Sequence, residues 1–168
     1  NLRGHSGDIL CARFSPDSMI LATGAEDNTI RLWNTSDGTH LMTLSGHSEA
    51  VTSLAFSADG NLLASGSSNG EIIVWSIPGG TQLSTLEETG SVTSLAFTPN
   101  GTILASASEY SNNTILLWNL SDGTLLNALE GPTREVNSLV FSPDGMLLAS
   151  ASFDGTVRLW RIETGEIV

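Results

Sequence analysis

Four tryptophans at nearly constant intervals limit the fold of this 168-residue chain more than any other feature. Successive tryptophans are 42, 43 and 42 residues apart, and a phenylalanine recurs in phase with them, directly before a polar turn. Self-similarity at a fixed period of about 20 to 50 residues is the signature of repeat architectures. The sequence therefore predicts four copies of one unit. The landmarks of these copies are Trp33, Trp75, Trp118 and Trp160, with Phe14, Phe56, Phe97 and Phe141.

Each copy reads as four short strands joined by turns. The second copy runs VTSLAF, SADG, NLLASGS, SNG, EIIVW, SIPGG and TQLSTL, so that Val-, Ile- and Leu-rich segments alternate with clusters of turn residues. The middle strands do not alternate between apolar and polar residues, which predicts sheets covered on both faces. We expect units at about 1–45, 46–88, 89–130 and 131–168, with the outer strand of the last unit split between residues 165–168 and 1–3.

The repeated unit resembles the WD repeat of β-propellers. The Gly-His pairs at Gly4-His5 and Gly46-His47, the SPDG-like turns and the tryptophan that ends each third strand carry the resemblance. It implies an all-β fold of four four-stranded antiparallel blades. It also implies a buried relay in each blade, running from a His through a Ser or Thr and an Asp to the Trp indole.

Only the first copy has every residue of that relay. In the second copy Asn69 stands where Asp is expected; in the third, Glu88 stands at the His position and Asn112 is nearest to the Asp position; in the fourth, Pro132 stands at the His position. The relay positions are His5, Thr23, Asp27 and Trp33 in the first copy; His47, Ser65 and Trp75 in the second; Ser106 and Trp118 in the third; and Ser150, Asp154 and Trp160 in the fourth.

The two ends of the sequence look like complementary halves of one outer strand. Written head to tail, GEIV and NLRGH would place Ile167 and Leu2 three residues apart, as Leu41 and Leu44 are. Three arrangements fit: a head-to-tail homodimer with an eight-bladed ring, a self-closed four-bladed ring, and part of a larger ring. We favour the dimer, because the resemblance implies rings of seven or eight blades and four alone would expose the apolar faces of the end blades.

The composition narrows the classes of partner. Eighteen carboxylates face six arginines and no lysine, giving a net charge of −12, and such an acidic surface repels nucleic acids and anionic membranes. We therefore expect neither as a partner. The single cysteine, Cys11, cannot form an intramolecular disulfide, and the sequence shows no leader and no apolar run long enough for a membrane span. These features favour a cytoplasmic location.

One segment matches a catalytic motif. Residues Gly66–Gly70 read G-x-S-x-G, the nucleophile elbow of α/β-hydrolases, so a hydrolase is the weakest of the alternative functions. That elbow requires a strand-to-helix turn, whereas this segment lies in a predicted hairpin between two strands. The sequence offers no convergent set of acid, base and nucleophile beyond residues that the repeat explains. Nothing in it resembles the spacing of metal ligands. We expect no enzymatic activity, no cofactor and no metal.

In WD-repeat domains, the loops carrying the His and Asp positions share one face, which usually binds partners. Tyr110 and Phe153 are aromatic where their counterparts are small or charged, and aromatic residues with arginine are the usual anchors of interfaces. The sequence thus predicts a non-catalytic scaffold for protein or peptide partners. The alternative is a half-propeller fragment or an engineered chain that only assembles into a ring. The candidate contact residues are Glu26, Glu49, Ser68, Glu88, Tyr110, Arg134, Glu135 and Phe153.

Overall fold

The structure, a computed structural model, describes residues 1–109 and 113–168, and these form four antiparallel β-sheets in chain order. The first sheet contains β1 (Ile9–Phe14), β2 (Ile20–Ala25), β3 (Thr29–Asn34) and β4 (His40–Ser45). The second contains β5 (Val51–Phe56), β6 (Leu62–Ser67), β7 (Glu71–Ser76) and β8 (Thr81–Glu87). The third contains β9 (Val92–Phe97), β10 (Ile103–Ser108), β11 (Ile115–Asn119) and β12 (Leu125–Leu129), and the fourth contains β13 (Val136–Phe141), β14 (Leu147–Ser152) and β15 (Val157–Arg161). The all-β fold expected from the sequence is confirmed.

The turn between the first two strands has the same construction in every sheet. In the first sheet, the hydroxyl of Ser15 donates to the Asp17 carboxylate and accepts from the backbone N–H of Ile20. This side-chain mimicry of a backbone turn fixes where the second strand begins. Its residues recur at equal positions: Ser57, Asp59 and Leu62; Thr98, Asn100 and Ile103; and Ser142, Asp144 and Leu147.

Three apolar clusters hold the four sheets side by side. The first joins sheets one and two around Ile30, Val51 and Trp75, and equivalent clusters join sheets two and three and sheets three and four. The first strands of successive sheets pack against each other, so they form the inner edge of the array. Small residues permit the close approach: a Cβ added at Gly66 would lie 2.4 Å from the Cγ1 of Val92 in the next sheet.

The fourth sheet differs from the four-stranded blade expected from the sequence. It has three strands, and its outer edge carries a single bridge between Trp160 and Ile167. Within the described residues, this sheet lacks the fourth strand implied by the resemblance, because only Ile167 and Val168 are placed to start it. Ile167 faces Trp160 as His40 faces Trp33, so Val168, not Ile167, stands at the position of Leu41. The expected match of Ile167 with Leu41 is wrong by one residue.

The four sheets form an open array. Within the described residues, no apolar cluster joins the first sheet to the fourth. Five of the six residues of β1 are exposed, whereas its counterpart β5 has none that is fully exposed. The self-closed four-bladed ring considered from the sequence is therefore not the arrangement adopted, and both end sheets leave one face uncovered.

Candidate functional site

Two loops meet at the same end of every sheet: the loop before the first strand, and the hairpin between the second and third strands. In the first sheet the N–H of Glu26 in the hairpin donates to the carbonyl of Asp8, over 2.9 Å. We call the combined surface the loop face. Its residues are 4–8, 26–28, 46–50, 68–70, 88–91, 109, 113, 131–135 and 153–155, and the equivalent bonds join Ser68 to Ala50, Glu109 to Ser91 and Phe153 to Glu135.

Beneath the loop face, the first sheet contains the complete relay implied by the resemblance. The indole N–H of Trp33 donates to Thr23 Oγ1 over 2.9 Å, and His5 Nε2 lies 2.8 Å from the same oxygen. His5 Nδ1 lies 3.0 Å from Asp27 Oδ2. Burial alone would raise the pKa of Asp27, but hydrogen bonds from Thr29, Ser6 and His5 outweigh it and lower that pKa. The relay thus fastens the hairpin to the preceding loop.

In the second sheet a residue overlooked in the sequence completes the relay. Trp75 donates to Ser65 Oγ over 2.8 Å, and His47 Nε2 lies 2.6 Å from that oxygen, as expected. The acid, however, is Glu71, whose Oε2 lies 2.8 Å from His47 Nδ1, while Asn69 bonds Ser67 and Ser48 instead. Asn69 does stand at the position of Asp27, but the expectation that this copy lacks an acid in its relay was wrong. The longer side chain of glutamate reaches the histidine from two residues further along.

The third sheet buries Glu88 in place of the histidine. The Ser106 hydroxyl bonds Glu88 Oε1 and also accepts the indole N–H of Trp118, the latter over 2.7 Å. Burial raises the pKa of Glu88, opposed in part by hydrogen bonds from Ser106 and Ser108. Glu88 is only 9% exposed, so its assignment as a contact residue needs correcting: it belongs to the relay beneath the surface.

The fourth sheet replaces the histidine with buried Pro132 and binds its acid through an arginine. Trp160 still donates to Ser150 Oγ over 2.8 Å. Asp154 accepts from the N–H of Thr133 and from Arg158 Nη1, each at 2.9 Å. Hydrogen bonding, first from Thr156 and then from Thr133, lowers the pKa of Asp154. Arg158 was not anticipated from the sequence, although it stands four residues after the acid.

The remaining candidate contact residues lie on the loop face. Glu26, Glu49, Ser68, Arg134 and Phe153 are exposed and Glu135 is half-buried, whereas Tyr110 lies outside the described residues. Within the described residues, one pair of these candidate side chains is in direct contact.

That pair is Arg134 and Phe153. The guanidinium carbon of Arg134 lies 5.9 Å from the Phe153 ring centroid, and its Nη1 donates to the Phe153 carbonyl over 3.2 Å. The Ser152 hydroxyl donates to the Arg134 carbonyl over 2.9 Å. Phe153 remains 57% exposed despite these contacts. An aromatic ring and an arginine are thus held in fixed positions at the surface.

The other sequence signals have structural explanations. In the G-x-S-x-G match, Ser67 ends β6 and Ser68 lies in the hairpin that leads to β7, and the Ser67 hydroxyl donates to Asn69 over 2.6 Å. Burial raises the pKa of the Cys11 thiol to about 11, which disfavours the reactive thiolate. Among the described residues, no three His, Cys, Asp or Glu side chains group as metal ligands, and no helix is long and apolar enough to cross a membrane.

Comparisons with known proteins agree with this geometry. The family described as "WD domain, G-beta repeat" matches residues 1–34, 38–76, 80–119 and 123–161. The Arabidopsis thaliana "Periodic tryptophan protein 2" is 46% identical over 43 residues, covering 26% of this chain and 5% of that protein. The Gallus gallus "Serine-threonine kinase receptor-associated protein" is 56% identical over 36 residues, which is 21% of this chain and 10% of that protein.

A third relative is the Homo sapiens "Apoptotic protease-activating factor 1", which is 54% identical over 37 residues, covering 22% of this chain and 3% of that protein. Each of these three similarities extends over about one repeat, and spans a tenth or less of the relative's length. The family match, in contrast, covers all four repeats. The chain therefore belongs to the WD-repeat family.

Proposed function

We propose that the chain is a non-catalytic platform that binds a protein or peptide partner through the loop face. Proteins of the WD-repeat family act in general as interaction scaffolds, which supports this assignment. The loop face suits the task because relay bonds in the first, second and fourth sheets fasten the region of the hairpin to the preceding loop, and backbone hydrogen bonds join the two loops in all four sheets. A surface held in one conformation loses little conformational entropy when a partner binds.

The observation that carries the proposal is the exposed pair of Arg134 and Phe153. Their counterparts in the other sheets are small or acidic: Gly7, Glu49 and Gly90 for the arginine, and Glu26, Ser68 and Glu109 for the phenylalanine. Binding energy at interfaces concentrates in a few aromatic and arginine side chains that are already in position. We therefore assign Phe153 and Arg134 as the anchor, and Glu26, Glu49, Ser68, Glu135 and Tyr110 as surrounding contacts.

The charge of the chain constrains the chemistry of the partner. With a net charge of −12, the surface disfavours nucleic acid and anionic lipid, so the partner we propose is a protein or peptide. The single half-buried thiol of Cys11 fits a reducing compartment, and we place the interaction in the cytoplasm.

The test compares two double variants as baits in an extract of the source cells. We expect Arg134→Ala with Phe153→Ala to lose the partner that the unchanged chain captures, because the variant removes the anchor. Proteins retained by the unchanged chain and missing from the variant are identified by mass spectrometry, and their affinities are then measured with purified components. A partner that binds both chains equally well would contradict the assignment.

The matched control removes an exposed arginine and an exposed apolar side chain at the opposite end of the same sheet. Arg161 and Met146 are both exposed, and Arg161 pairs with Leu147 where β14 begins, far along the strands from Phe153. Arg161→Ala with Met146→Ala should keep the partner. If neither bait captures a partner and only ring assembly is observed, the alternative of a chain that solely assembles is favoured instead.

A further inference from the structure

The inner strand of the first sheet exposes a side chain that is buried at every internal sheet contact. Ile9 is 55% exposed, although its position in the register is that of a buried valine in the other three sheets. The equivalents Val51, Val92 and Val136 are 0%, 0% and 1% exposed. The nearby Phe14 is also 62% exposed, against 9% for its equivalent Phe97. The first sheet thus presents the side chains of an internal contact without a neighbour.

The fourth sheet exposes the complementary surface. Val157 is 71% exposed and Leu159 is 43% exposed. Their equivalents in the other sheets are almost fully buried: Ile30, Ile72 and Ile115 at 0%, and Leu32, Val74 and Leu117 at 2%, 2% and 1%. Val157 pairs with Ala151, a small residue in the position that receives the next valine at internal contacts. At two of those contacts the position is glycine, and a Cβ added at Gly24 would lie 2.5 Å from the Cγ1 of Val51.

At two contacts between neighbouring sheets, a threonine of one sheet donates a hydrogen bond to a carbonyl of the next sheet. The two end sheets each carry one side of such a bond. Thr52 Oγ1 donates to the Val92 carbonyl over 2.7 Å, and Thr93 Oγ1 donates likewise to the Val136 carbonyl. The register places Asn137 at the same position in the fourth sheet, where it is exposed and its amide can donate. The corresponding acceptor, the carbonyl of Ile9, belongs to the first sheet.

The outer edges show the same complementarity. Leu44, Leu86 and Leu129 each lie over the turn glycine of the next sheet, with Cδ2 3.1, 3.5 and 3.3 Å from a Cβ built at Gly80, Gly123 and Gly165. Leu2 lies over Gly38 in the same way, at 3.2 Å. Leu2 therefore occupies the place of the end of an outer strand, while Ile167 and Val168 occupy the place where an outer strand starts.

We propose that the first sheet of one copy packs against the fourth sheet of a second copy, and that two such contacts close a ring of eight sheets. Ile9 would enter the space beside Ala151 and Val157, and Asn137 would donate to the Ile9 carbonyl. A second copy is the occupant because the two faces reproduce both sides of the internal contact, position by position. Exposed apolar faces of this kind are otherwise unfavourable in water.

The first test is the mass of the 168-residue chain by light scattering. We expect twice the chain mass of 17.6 kDa, and we expect Val157→Glu or Ile9→Glu to give the mass of one chain. Both side chains are exposed within one chain, so these changes should leave each chain folded, which near-ultraviolet circular dichroism checks. Leu83→Glu, on the outer strand β8 and 56% exposed, is the matched control and should remain double.

A cross-linking test distinguishes a second copy from the chain's own opposite end. In a Cys11→Ser background, Ile9→Cys and Ala151→Cys are introduced in separate chains, serine being the residue at the position of Cys11 in the other three sheets. Under oxidation, we expect a covalent dimer from the mixture and none from either chain alone. A single-chain mass, a ladder of larger masses, or no covalent dimer from the mixture would overturn the proposal.

Discussion

At the scale of single residues, the relays show how one task is performed by different side chains. Every described tryptophan indole donates to a Ser or Thr hydroxyl, but the group behind that hydroxyl is His5, His47 or Glu88, and in the fourth sheet Pro132 occupies its position. A buried indole N–H must find an acceptor, and this requirement fixes the Ser or Thr. The group beyond it is less constrained, and in the fourth sheet it is a proline, whose side chain can form no hydrogen bond with the hydroxyl.

Glu88 gives this variation a measurable consequence. Burial raises its pKa in the folded chain above 4.5, so the folded state favours the neutral acid. Its contribution to stability is fully present below pH 4.5 and is lost as pH rises through the raised pKa. We expect Glu88→Gln, which stays neutral, to escape this loss. The stability of the variant relative to the unchanged chain should therefore increase from pH 4.5 towards neutrality.

Urea denaturation followed by tryptophan fluorescence across that pH range measures the difference. Glu87→Gln is the control, because Glu87 is the adjacent glutamate and is exposed. It should leave the pH dependence of stability unchanged. Parallel curves for Glu88→Gln and the unchanged chain would show that Glu88 is ionised at no cost in the folded state, contrary to its burial.

The relay also marks where sequence reasoning succeeds and where it stops. The Trp, Ser and Thr positions follow from the period, because they sit on strands whose register repeats. Glu71 was missed because the other copies have threonine at its position. Arg158 was missed because the first copy has an arginine at the same position, Arg31, where a histidine bonds the acid instead. Glu88 was placed at the His position, yet its burial against Ser106 did not follow from the repeat, because no other copy has an acid there.

At the scale of the strands and sheets, close packing depends on small residues at one register position of each second strand. Gly24, Gly66, Ala107 and Ala151 occupy it. Their small size was evident in the sequence, and it indicated sheets covered on both faces, which holds for the second and third sheets but not for the two end sheets. Which valine would fill the space was not predictable from the sequence, because that depends on how one sheet is stacked on the next.

We expect Gly66→Ala to destabilise the chain by about 1–3 kcal/mol, because the added methyl would overlap Val92 in the third sheet. Combining it with Val92→Ala should cost less than the sum of the two single changes. The shortened Val92 side chain relieves the clash, and the methyl added at Gly66 fills part of the space that the valine leaves. Denaturant unfolding of all four chains measures this coupling. Gly79→Ala, where the nearest atom is Thr81 Oγ1 at 3.6 Å, should change stability by less than about 0.5 kcal/mol.

At the scale of the whole molecule, the open array explains why its two end sheets differ from the inner ones. The period fixed the number of sheets and their order, which the structure bears out. What packs against the two end sheets could not be predicted from the period. A repeat specifies how neighbouring sheets pack, but not whether the neighbour belongs to the same chain. At the outer edges, Val168 lies where an outer strand starts and Leu2 lies where one ends.

Joining two copies in one polypeptide tests the ring of eight sheets. A direct fusion of Val168 to the second Asn1 would place two tryptophans 41 residues apart, whereas the internal spacings are 42, 43 and 42. One inserted residue restores 42 and fills the single position missing between Val168 and Asn1 in the outer strand. We expect this fusion to have the mass of two chains at every concentration, and its melting temperature should not depend on concentration.

The unlinked chain should melt at higher temperature as its concentration rises, since association stabilises the folded state by mass action. Equal concentration dependence in both proteins, or further association of the fusion, would contradict closure by two copies.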